Sequence, residues 1–448
     1  MDIIADTSIT EITSSDDVTA SVANAPHYQL QSMMNEINIH HNQNLIHSNS
    51  LIISGGDIQT PALTAETALI KDLEIENVIE CAITWYGDYS GDINSRVTQL
   101  FPWSNASSIP SSAFDTLPTG PTFDSSWSPN GEFLSTAHDI SPYITIYKRS
   151  GNKFTKLANP SNLPGDIADD TDWSPNGEFL TVIYRTFSPY LINYQRSGTT
   201  FTKLADPAVA PTGQPTCCKW SPNGEFLAVA HNNSPYITIY QRSGTTFTKL
   251  ANPSTLPGSQ SNGCDWSPNG EFLAVAHNNS PYITIYQRSG TTLFTKLDDP
   301  ATLPGSIGTY CKWSPNGEFL AVVTSSSPYI TIYQRSGTTF TKVANPSTLP
   351  TAIVRSCSWS PNGEFLLIGY EAYPYLITYQ RSGTTFTKLD DFFILPTTSY
   401  GNNWSPNGEF LAVASFSSPY IIVYQTAGNL PEYGIMKILS PMKNDTNF

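Results

Sequence analysis

Charged residues are scarce in this 448-residue chain, at 13% of the sequence, and basic residues are nearly missing from its front. Up to Gly120 there are 15 acidic residues but only two basic ones, Lys71 and Arg96, whereas the remainder carries 22 acidic and 20 basic residues. Nucleic acids and anionic membrane surfaces select clustered Lys and Arg. The sequence therefore disfavours both as partners.

Long apolar runs are missing as well. No stretch approaches the roughly 18 consecutive apolar residues of a membrane span, and the opening MDIIADTSIT has neither a basic n-region nor an apolar h-region. We therefore expect no membrane insertion and no signal peptide, which predicts synthesis in the cytoplasm.

What the chain does have is a repeat. The copies are 45 to 47 residues apart, a period typical of β-propellers when each unit contains four strands. The motif WSPNGEFL occurs seven times, with its tryptophan at Trp127, Trp173, Trp220, Trp266, Trp313, Trp359 and Trp404.

Each copy contains four strand-like runs. In the third copy, Cys217 to Trp220 is followed by an SPNG turn, the apolar runs FLAVA and YITIY, an RSGT loop and the alternating run FTKL. Runs that are apolar on both faces fit strands covered on both sides, whereas the alternating run fits an outer strand. We predict an all-β fold, with a seven-bladed β-propeller of four-stranded antiparallel blades over residues 121–440 and a tail at 441–448.

The order of these strands and turns resembles the WD-repeat propellers, although no Gly-His pair opens the unit and IYQR stands where those repeats have IWD. The longer unit WSPNGEFLAVAHNNSPYITIYQRSGTTFTKL is similar to repeats in structural proteins of tailed bacteriophages, of the tail-fibre or attachment type. The resemblance covers about seventy per cent of the chain. It implies a virion protein.

The front of the chain is expected to anchor the protein. Residues 1–28 are interpreted as a flexible or docking arm, with a disordered acidic arm as the alternative. Over residues 29–120, Leu30, Met34 and Ile37 have the spacing of a short coiled-coil helix, and the run from Leu51 to Val78 resembles strands of phage fibre shafts. This segment is predicted to form a homo-oligomer, with a trimer favoured, and to bind other virion proteins. We interpret His40, His41 and His47 as solvated or core histidines in preference to metal ligands.

Two positions just before the blade tryptophan carry residues of interest, and the first is a cysteine in four of the seven copies. Cys218, Cys264, Cys311 and Cys357 each precede the blade tryptophan by two residues, and we interpret them as small buried packing residues, with no metal and no cofactor. The seven residues just before the tryptophans are expected to line the central channel, where the acidic and basic ones form ion pairs. These residues are Ser126, Asp172, Lys219, Asp265, Lys312, Ser358 and Asn403.

The turn glutamates and loop arginines are expected to pair at one end of the propeller. The arginines are Arg149, Arg196, Arg242, Arg288, Arg335 and Arg381, and the glutamates are Glu132, Glu178, Glu225, Glu271, Glu318, Glu364 and Glu409. At closure, the last copy has its own candidate fourth strand, Tyr433 to Leu439. We therefore expect the ring to close without a strand borrowed from residues before Gly120.

The two ends of the propeller differ in how much their sequences vary. The SPNGE and RSGTT turns of one end barely change, whereas the turns between strands two and three and the inter-blade links change in almost every copy. Many of the variable residues are aromatic or short and polar, and side chains of these types favour a recognition surface over neutral sequence drift. The candidate binding residues are Tyr184, Arg185, Phe187, Asn232, Asn278, Tyr310, Arg355, Tyr370, Glu371, Tyr373, Tyr400 and Phe416.

The signatures of catalysis are missing: the chain has no GxSxG, no HExxH and no SxDxGxxW box of the sialidase propellers. Together with the resemblance to phage structural proteins, this implies a non-catalytic bacteriophage virion protein that displays a propeller for attachment to a host glycan or surface protein. The first alternative is an adaptor or decoration protein that contacts other virion proteins. The less favoured alternative, a glycan-cleaving enzyme, requires carboxylates that converge on the channel mouth.

Overall fold

A computed structural model describes residues 113–389, 396 and 398–425 together with three two-residue strands: β1 (Asp2–Ile3), β2 (Ala20–Ser21) and β3 (Ser107–Ser108). The chain divides into residues 1–98 with 430–448, and residues 99–429. In the first unit β1 pairs antiparallel with β2. The predicted helix, the shaft-like strands, the front histidines and the Tyr433 to Leu439 run lie outside the described residues.

The second unit forms seven four-stranded antiparallel sheets, as the repeat predicts. The first strand of each sheet ends at the repeated tryptophan. These strands are β4 (Thr122–Trp127), β8 (Ala168–Trp173), β12 (Pro215–Trp220), β16 (Ser261–Trp266), β20 (Gly308–Trp313), β24 (Val354–Trp359) and β28 (Ser399–Trp404).

The second strands are apolar on both faces because each lies between neighbouring blades, and nearly every residue in them is buried. They are β5 (Phe133–His138), β9 (Phe179–Tyr184), β13 (Phe226–His231), β17 (Phe272–His277), β21 (Phe319–Thr324), β25 (Phe365–Tyr370) and β29 (Phe410–Ser415).

The third strands are buried over their first half and emerge at the conserved arginine, where the outer hairpin begins. They are β6 (Ile144–Ser150), β10 (Leu191–Ser197), β14 (Ile237–Ser243), β18 (Ile283–Ser289), β22 (Ile330–Ser336), β26 (Leu376–Ser382) and β30 (Ile421–Gln425).

Each outer strand buries one phenylalanine, and the residues on either side of that phenylalanine are exposed or half-buried. Six blades take this strand from their own copy of the repeat. These strands are β7 (Lys153–Lys156), β11 (Thr200–Lys203), β15 (Thr246–Lys249), β19 (Leu293–Lys296), β23 (Thr339–Lys342) and β27 (Thr385–Lys388).

The seventh blade is completed differently, and the prediction of closure without a borrowed strand is wrong. Strand β3 pairs antiparallel with β30, with Ser107 opposite Gln425 and Ser108 opposite Tyr424. A segment from before the first blade therefore forms the outer strand of the last one. The physical reason is that β30 would otherwise leave its backbone donors and acceptors unpaired at a sheet edge.

The segment after β3 also packs on the first blade. The Phe114 ring is buried, stacks on Phe154 at 4.5 Å and meets Tyr147 edge-on at 5.0 Å. The Asp115 side chain accepts a hydrogen bond of 2.8 Å from the backbone of Lys156. The same stretch of chain thus holds blades one and seven together.

In six of the seven blades, a phenylalanine of the second strand is enclosed by the tryptophan and the arginine of the next blade. Phe179 stacks on Trp220 with ring centroids 6.0 Å apart, and the Arg242 guanidinium lies 4.8 Å from the Phe179 centroid. The equivalent arginines of blades one, two, four, five and six make the same contact. This packing explains why the tryptophan, phenylalanine and arginine repeat together.

These arginines do not pair generally with the turn glutamates, which corrects the prediction. Arg242 Nε donates to the Gly224 carbonyl at 2.9 Å, and Glu225 accepts from Asn223 within its own turn. Among the described residues, only Arg149 reaches a turn glutamate, Glu409 of the last blade, at 4.0 Å. Because each arginine binds a glycine carbonyl and lies over a phenylalanine ring, the turn glutamate keeps its hydrogen bond to the asparagine of its own turn.

Candidate ligand-binding site

The first strand of every blade begins with a β-bulge. In β4 the register shifts between Thr122 and Asp124, and the six other first strands shift at the equivalent place. A bulge leaves an extra residue out of the ladder and changes the direction of its side chain. The bulge residues are Phe123, Asp169, Thr216, Asn262, Thr309, Arg355 and Tyr400.

All seven bulge residues line one cavity of about 110 Å³ on the propeller axis. The first strands begin at the end that carries the variable turns and links, so the cavity opens on the variable face. The residues after the bulges complete its wall, among them Asp124, Asp170 and Tyr310. By volume, the cavity has room for a few water molecules or one small polar group.

Below the cavity lies the predicted ring of channel residues, and its charge pairing is confirmed for two neighbouring pairs. Lys219 Nζ lies 3.8 Å from Asp172 Oδ1, and Lys312 Nζ lies 3.0 Å from Asp265 Oδ1. Burial raises the pKa of Asp172 to about 6, although Lys219 opposes the shift. The ring is therefore a paired, buried polar layer.

Lys219 makes a closer contact that the repeat does not predict. Its Nζ atom lies 3.2 Å from both carboxylate oxygens of Asp170, and Asp170 Oδ2 also accepts from the Cys218 backbone at 2.8 Å. Although burial opposes ionisation, Lys219 and these hydrogen bonds lower the pKa of Asp170. Asp170 is therefore held as a carboxylate.

Asp124, in the neighbouring blade, behaves in the opposite way. Burial and the nearby negative charge of Asp170 raise the pKa of Asp124 well above its usual value, and the two carboxyl groups share a hydrogen bond. No lysine or arginine of the described residues lies within ion-pair distance of Asp124. The two carboxyl groups therefore titrate as a coupled pair, in which Asp124 keeps its proton to a higher pH than Asp170 does.

The other charges at the cavity are already matched. Arg185 holds Asp169 through Nε and Nη2, at 2.8 and 2.6 Å from Oδ1, and Arg355 forms an ion pair with Glu371. Arg185 also lies over the Phe123 ring at 4.9 Å, and Phe123 meets Tyr400 edge-on at 5.6 Å. One side of the mouth is thus built of aromatic rings and compensated ion pairs.

The opposite side is closed by hydrogen bonds from one blade to the next. Thr216 donates to the Ser261 carbonyl at 2.7 Å, Asn262 to the Gly308 carbonyl at 2.7 Å and Thr309 to the Val354 carbonyl at 2.6 Å. The bulge residues of blades three to five are therefore occupied in joining blades. The charged bulge residues of blades six and two, Arg355 and Asp169, are instead held by ion pairs within their own blades.

Two glycines make room for the larger cavity residues. A Cβ on Gly401 would lie 2.6 Å from Asp124 Oδ1, and a Cβ on Gly263 would lie 2.8 Å from the Tyr310 ring. Both distances are too short for a real contact. Glycine is needed at these two positions because the next blade fills the space with Asp124 or Tyr310.

The structure brings half of the candidate binding residues to this site. Tyr310, Arg355 and Tyr400 line the cavity. Arg185 and Glu371 pair with the bulge residues Asp169 and Arg355, and Asn278 accepts from the bulge residue Asn262 at 2.7 Å.

The remaining candidates lie farther out or inside the protein. Phe187, Tyr373 and Phe416 are exposed at the tips of the turns between second and third strands, and Asn232 is half-buried beside them. The prediction that Tyr184 and Tyr370 are binding residues is wrong, since they are only 6% and 2% exposed. Each ends a second strand, where its ring packs between blades and is withdrawn from any ligand.

Sequence reasoning missed Asp124, Asp170 and Phe123, although a signal for the two acids exists. Asp124 and Asp170 both stand three residues before the blade tryptophan, where other copies have cysteine, glycine, tyrosine or serine. Comparison of the copies at that position would have singled out two adjacent acidic blades. No such signal reveals that a bulge directs Phe123 toward the axis.

The described cysteines are buried free thiols, as predicted for packing residues. Cys217 and Cys264 are in contact, with their sulfur atoms 3.8 Å apart, and burial raises the pKa of Cys217 well above its usual value. Within the described residues, no group of three or more His, Cys, Asp or Glu side chains has a metal-binding arrangement. The same residues include no helix with the length and hydropathy to cross a bilayer.

Comparison with known proteins supports the fold. The profile of a family described as eukaryotic translation initiation factor eIF2A matches residues 183–345, about a third of the chain. No curated protein sequence matches it. The chain is a seven-bladed β-propeller with WD-like, four-stranded blades.

Solved structures with a similar fold belong to proteins of quite different description. A chain of the mitotic checkpoint complex is 18% identical with a TM-score of 0.55, over 68% of this chain and 88% of that one. A chain of Kuenenia stuttgartiensis hydrazine synthase is 15% identical with a TM-score of 0.54, over 70% and 98%. A putative 6-phosphogluconolactonase from Bacteroides uniformis is 17% identical with a TM-score of 0.55, over 65% and 91%. At these identities the similarity concerns the fold alone.

Proposed function

We propose that this protein is a non-catalytic recognition protein, and that its variable face attaches a bacteriophage particle to a glycan or protein of the host surface. The observation that carries the recognition role is the distribution of exposed apolar side chains. Seven of the eight large ones in the described residues belong to the variable turns and inter-blade links, and Leu293 alone lies at the other end. They are Ile140, Leu163, Phe187, Val209, Ile307, Tyr373 and Phe416.

The exposed aromatic residues are the proposed contacts. Tyr373 is 73% exposed, Phe187 60% and Phe416 49%, and each lies in a turn between a second and a third strand. The turns are closed by backbone hydrogen bonds such as Tyr190 N to Phe187 O at 2.8 Å. Rigid aromatic side chains lose little entropy on binding and supply much of the energy of recognition surfaces.

The phage assignment rests on the similarity of the repeat to phage structural proteins. In this proposal the N-terminal segment binds other virion proteins and forms the homo-oligomer. The adaptor alternative keeps the same architecture but places another virion protein on the variable face. The two differ in whether the purified protein binds cells.

A glycan-cleaving enzyme now has one observation in its favour, because carboxyl groups do converge on the channel mouth. Their arrangement nevertheless favours binding. Glycosidases that use two carboxyl groups place them about 5–9.5 Å apart, on either side of the bond to be broken. Asp124 and Asp170 instead share a hydrogen bond, and Asp169 is held by Arg185. This geometry leaves no room for a scissile bond between the first two.

The test uses the labelled full-length protein on a panel of intact bacteria and on immobilised surface glycans. We expect binding to at least one bacterial surface. The triple variant Phe187→Ser, Tyr373→Ser, Phe416→Ser should bind at least about tenfold more weakly, since each anchor of this kind contributes about 1 kcal/mol or more. The matched control is Leu293→Ser, whose side chain is 58% exposed at the opposite end.

The control variant should bind like the wild type. Equal losses in both variants would contradict a site on the variable face. Binding to phage particles stripped of this protein, with no binding to any cell, would support the adaptor role.

A further inference from the structure

We propose that seven tyrosines of the variable face, one from each blade, are equivalent hydrogen-bonding subsites for a neutral, repeating surface polysaccharide. This inference rests on the proposed recognition function, and it narrows the ligand to a polymer that occupies several blades at once. Each of these tyrosines directly precedes a third strand. The seven, which we call the rim tyrosines, are Tyr143, Tyr190, Tyr236, Tyr282, Tyr329, Tyr375 and Tyr420.

The rim tyrosines are the constant part of a face that otherwise varies. The turns that lead into them carry exposed aromatic residues in some blades and asparagine or serine in others, but the tyrosine is present in all seven. The two sets form one surface, since Tyr375 meets the exposed Tyr373 edge-on at 6.3 Å. Seven copies of one side chain around a closed ring fit a ligand that repeats, whereas an irregular protein epitope has no use for them.

The backbone at this position is unfavourable for tyrosine. All seven have φ between 63 and 67°, in the left-handed region that glycine or asparagine adopts more readily than a bulky residue. Backbone groups hold the turn: the tyrosine N–H donates to a turn carbonyl at 2.6–2.9 Å, and its carbonyl accepts from the end of the second strand at 2.9–3.0 Å. The shape of the turn therefore does not call for a tyrosine side chain.

Packing accounts for the ring of the side chain but not for its hydroxyl. Tyr143 packs on the apolar cluster between blades one and two, and Tyr329 on the cluster between blades five and six. Every rim tyrosine is half-buried. The rim hydroxyls form no hydrogen bond with any part of the protein that the structure describes, and none of these oxygens is buried. Each is therefore an accessible donor and acceptor.

A second tyrosine, four residues further along the same strand, shows the opposite behaviour. Tyr240 is fully buried, and its hydroxyl donates to the Val209 carbonyl of the inter-blade link at 2.8 Å. Four other blades repeat this bond at 2.7–2.8 Å. The fold thus uses the hydroxyls of these inner tyrosines and leaves those of the rim to solvent or a ligand. The inner tyrosines are Tyr194, Tyr240, Tyr286, Tyr333 and Tyr379.

The surroundings of the rim favour a neutral polymer. A tyrosine offers an apolar ring edge beside a hydroxyl, which matches the apolar face and the hydroxyl groups of a sugar. Arg185 and Arg355, the arginines among the variable residues, are already paired with Asp169 and Glu371. An anionic sugar would have to compete with those carboxylates. One rim contact is weak, but linked contacts raise the affinity about 10²–10⁴-fold.

The experiment uses the full-length protein and the surface polysaccharide purified from each bacterium of the cell-binding panel. Calorimetry measures binding of the intact polymer and of the single repeat unit obtained from it by hydrolysis. We expect at least one neutral polymer to bind, at least about a hundredfold more tightly than its own repeat unit.

Tyrosine-to-phenylalanine substitution is the matched change, because it removes the hydroxyl and keeps the ring and its packing. Replacement of all seven rim tyrosines should weaken polymer binding at least tenfold and leave the unfolding temperature unchanged. Variants with two and four replacements should lie between that protein and the wild type. Within blade three, Tyr236→Phe should leave the unfolding temperature unchanged, whereas the control Tyr240→Phe should lower it and bind the polymer normally.

The outcomes separate this inference from the proposed function. A rim variant that folds and binds the polymer like the wild type would show that the rim tyrosines only pack. Equal affinity for polymer and repeat unit would contradict the use of several blades. If the protein binds cells but not their purified polysaccharide, the partner is a surface protein, and attachment stands while this inference is wrong. Tighter binding of an anionic polymer would overturn the neutral ligand class, and no binding to any cell or polysaccharide would remove both proposals.

Discussion

At the scale of single residues, three buried histidines make the stability of the protein depend on pH. His138, His231 and His277 end the second strands of blades one, three and four, and each imidazole lies 2.9 to 3.0 Å from a threonine hydroxyl of the adjacent third strand. Burial lowers the pKa of each to about 4. These groups are therefore neutral in the folded protein and protonated near their ordinary pKa once it unfolds.

This difference predicts a loss of stability in acid. Between about pH 6.5 and pH 4 the unfolded chain binds more protons than the folded one, so the free energy of unfolding falls as the pH falls. The loss is at most about 1.4 kcal/mol per pH unit for each histidine. Above about pH 6.5 their contribution is fully present. Urea denaturation at a series of pH values measures the slope.

The chain supplies the matched control for this prediction. Blade five has Thr324 at the equivalent position, so the variant His138→Thr, His231→Thr, His277→Thr should have a flatter profile below pH 6.5. Asp172, whose pKa is raised to about 6, acts in the opposite direction in both proteins. The difference between the two curves isolates the histidines, and identical slopes would mean that they are not buried as neutral groups.

At the scale of strands and turns, the repeat predicts the strands of each blade and the channel pairing, and it misses the contacts that depend on a β-bulge or on closure of the ring. The four strands and the channel pairing of Asp172 with Lys219 follow from periodicity, because each copy states them again. The contact of Asp170 with Lys219 depends on a bulge in the first strand, and alternation alone does not reveal that extra residue. The interpretation of Tyr184 as a turn residue fails because the second strand β9 includes Tyr184 as its last residue, where the turn was expected to begin.

Closure of the ring gives the prediction at this scale. Strand β3 and Phe114 hold blades one and seven, so a protein that starts at residue 101 should retain nearly full stability. A protein that starts at residue 119 should lose at least about 3 kcal/mol, the usual cost of losing a buried phenylalanine. Its exposed β30 edge should also promote association.

The control is a chain that ends at residue 429, which lacks the Tyr433 to Leu439 run but keeps β3. It should unfold at the same denaturant concentration as the full chain. If this truncation destabilises the protein and the start at residue 119 does not, the last blade is closed by its own copy of the repeat. Both measurements need only equilibrium unfolding followed by tryptophan fluorescence.

At the scale of the whole molecule, the propeller has little reason to associate with itself. Its seven sheets form a closed ring, and its outer strands expose threonine and lysine on either side of the one buried aromatic residue, as in Thr246–Lys249. Charged residues at a sheet edge oppose pairing with another chain. The variable face is then free for a ligand, and any assembly must come from elsewhere in the chain.

The front segment is the proposed source of that assembly, and it carries the last prediction. Its apolar residues, such as Leu30, Met34 and Ile37, are too few to stabilise a lone helix in water, so their burial requires partner chains. We expect the full-length protein to be an oligomer, with a trimer favoured, and the protein that starts at residue 101 to be a folded monomer. Light scattering coupled to size-exclusion chromatography gives both masses. A full-length monomer would remove the assembly role from residues 29–100, and an oligomer of the shorter chain would move it to the propeller. The charge-reversal pair Lys249→Glu and Lys342→Glu in the shorter chain would then test the outer strands as the interface, because repulsion at that edge should change its mass.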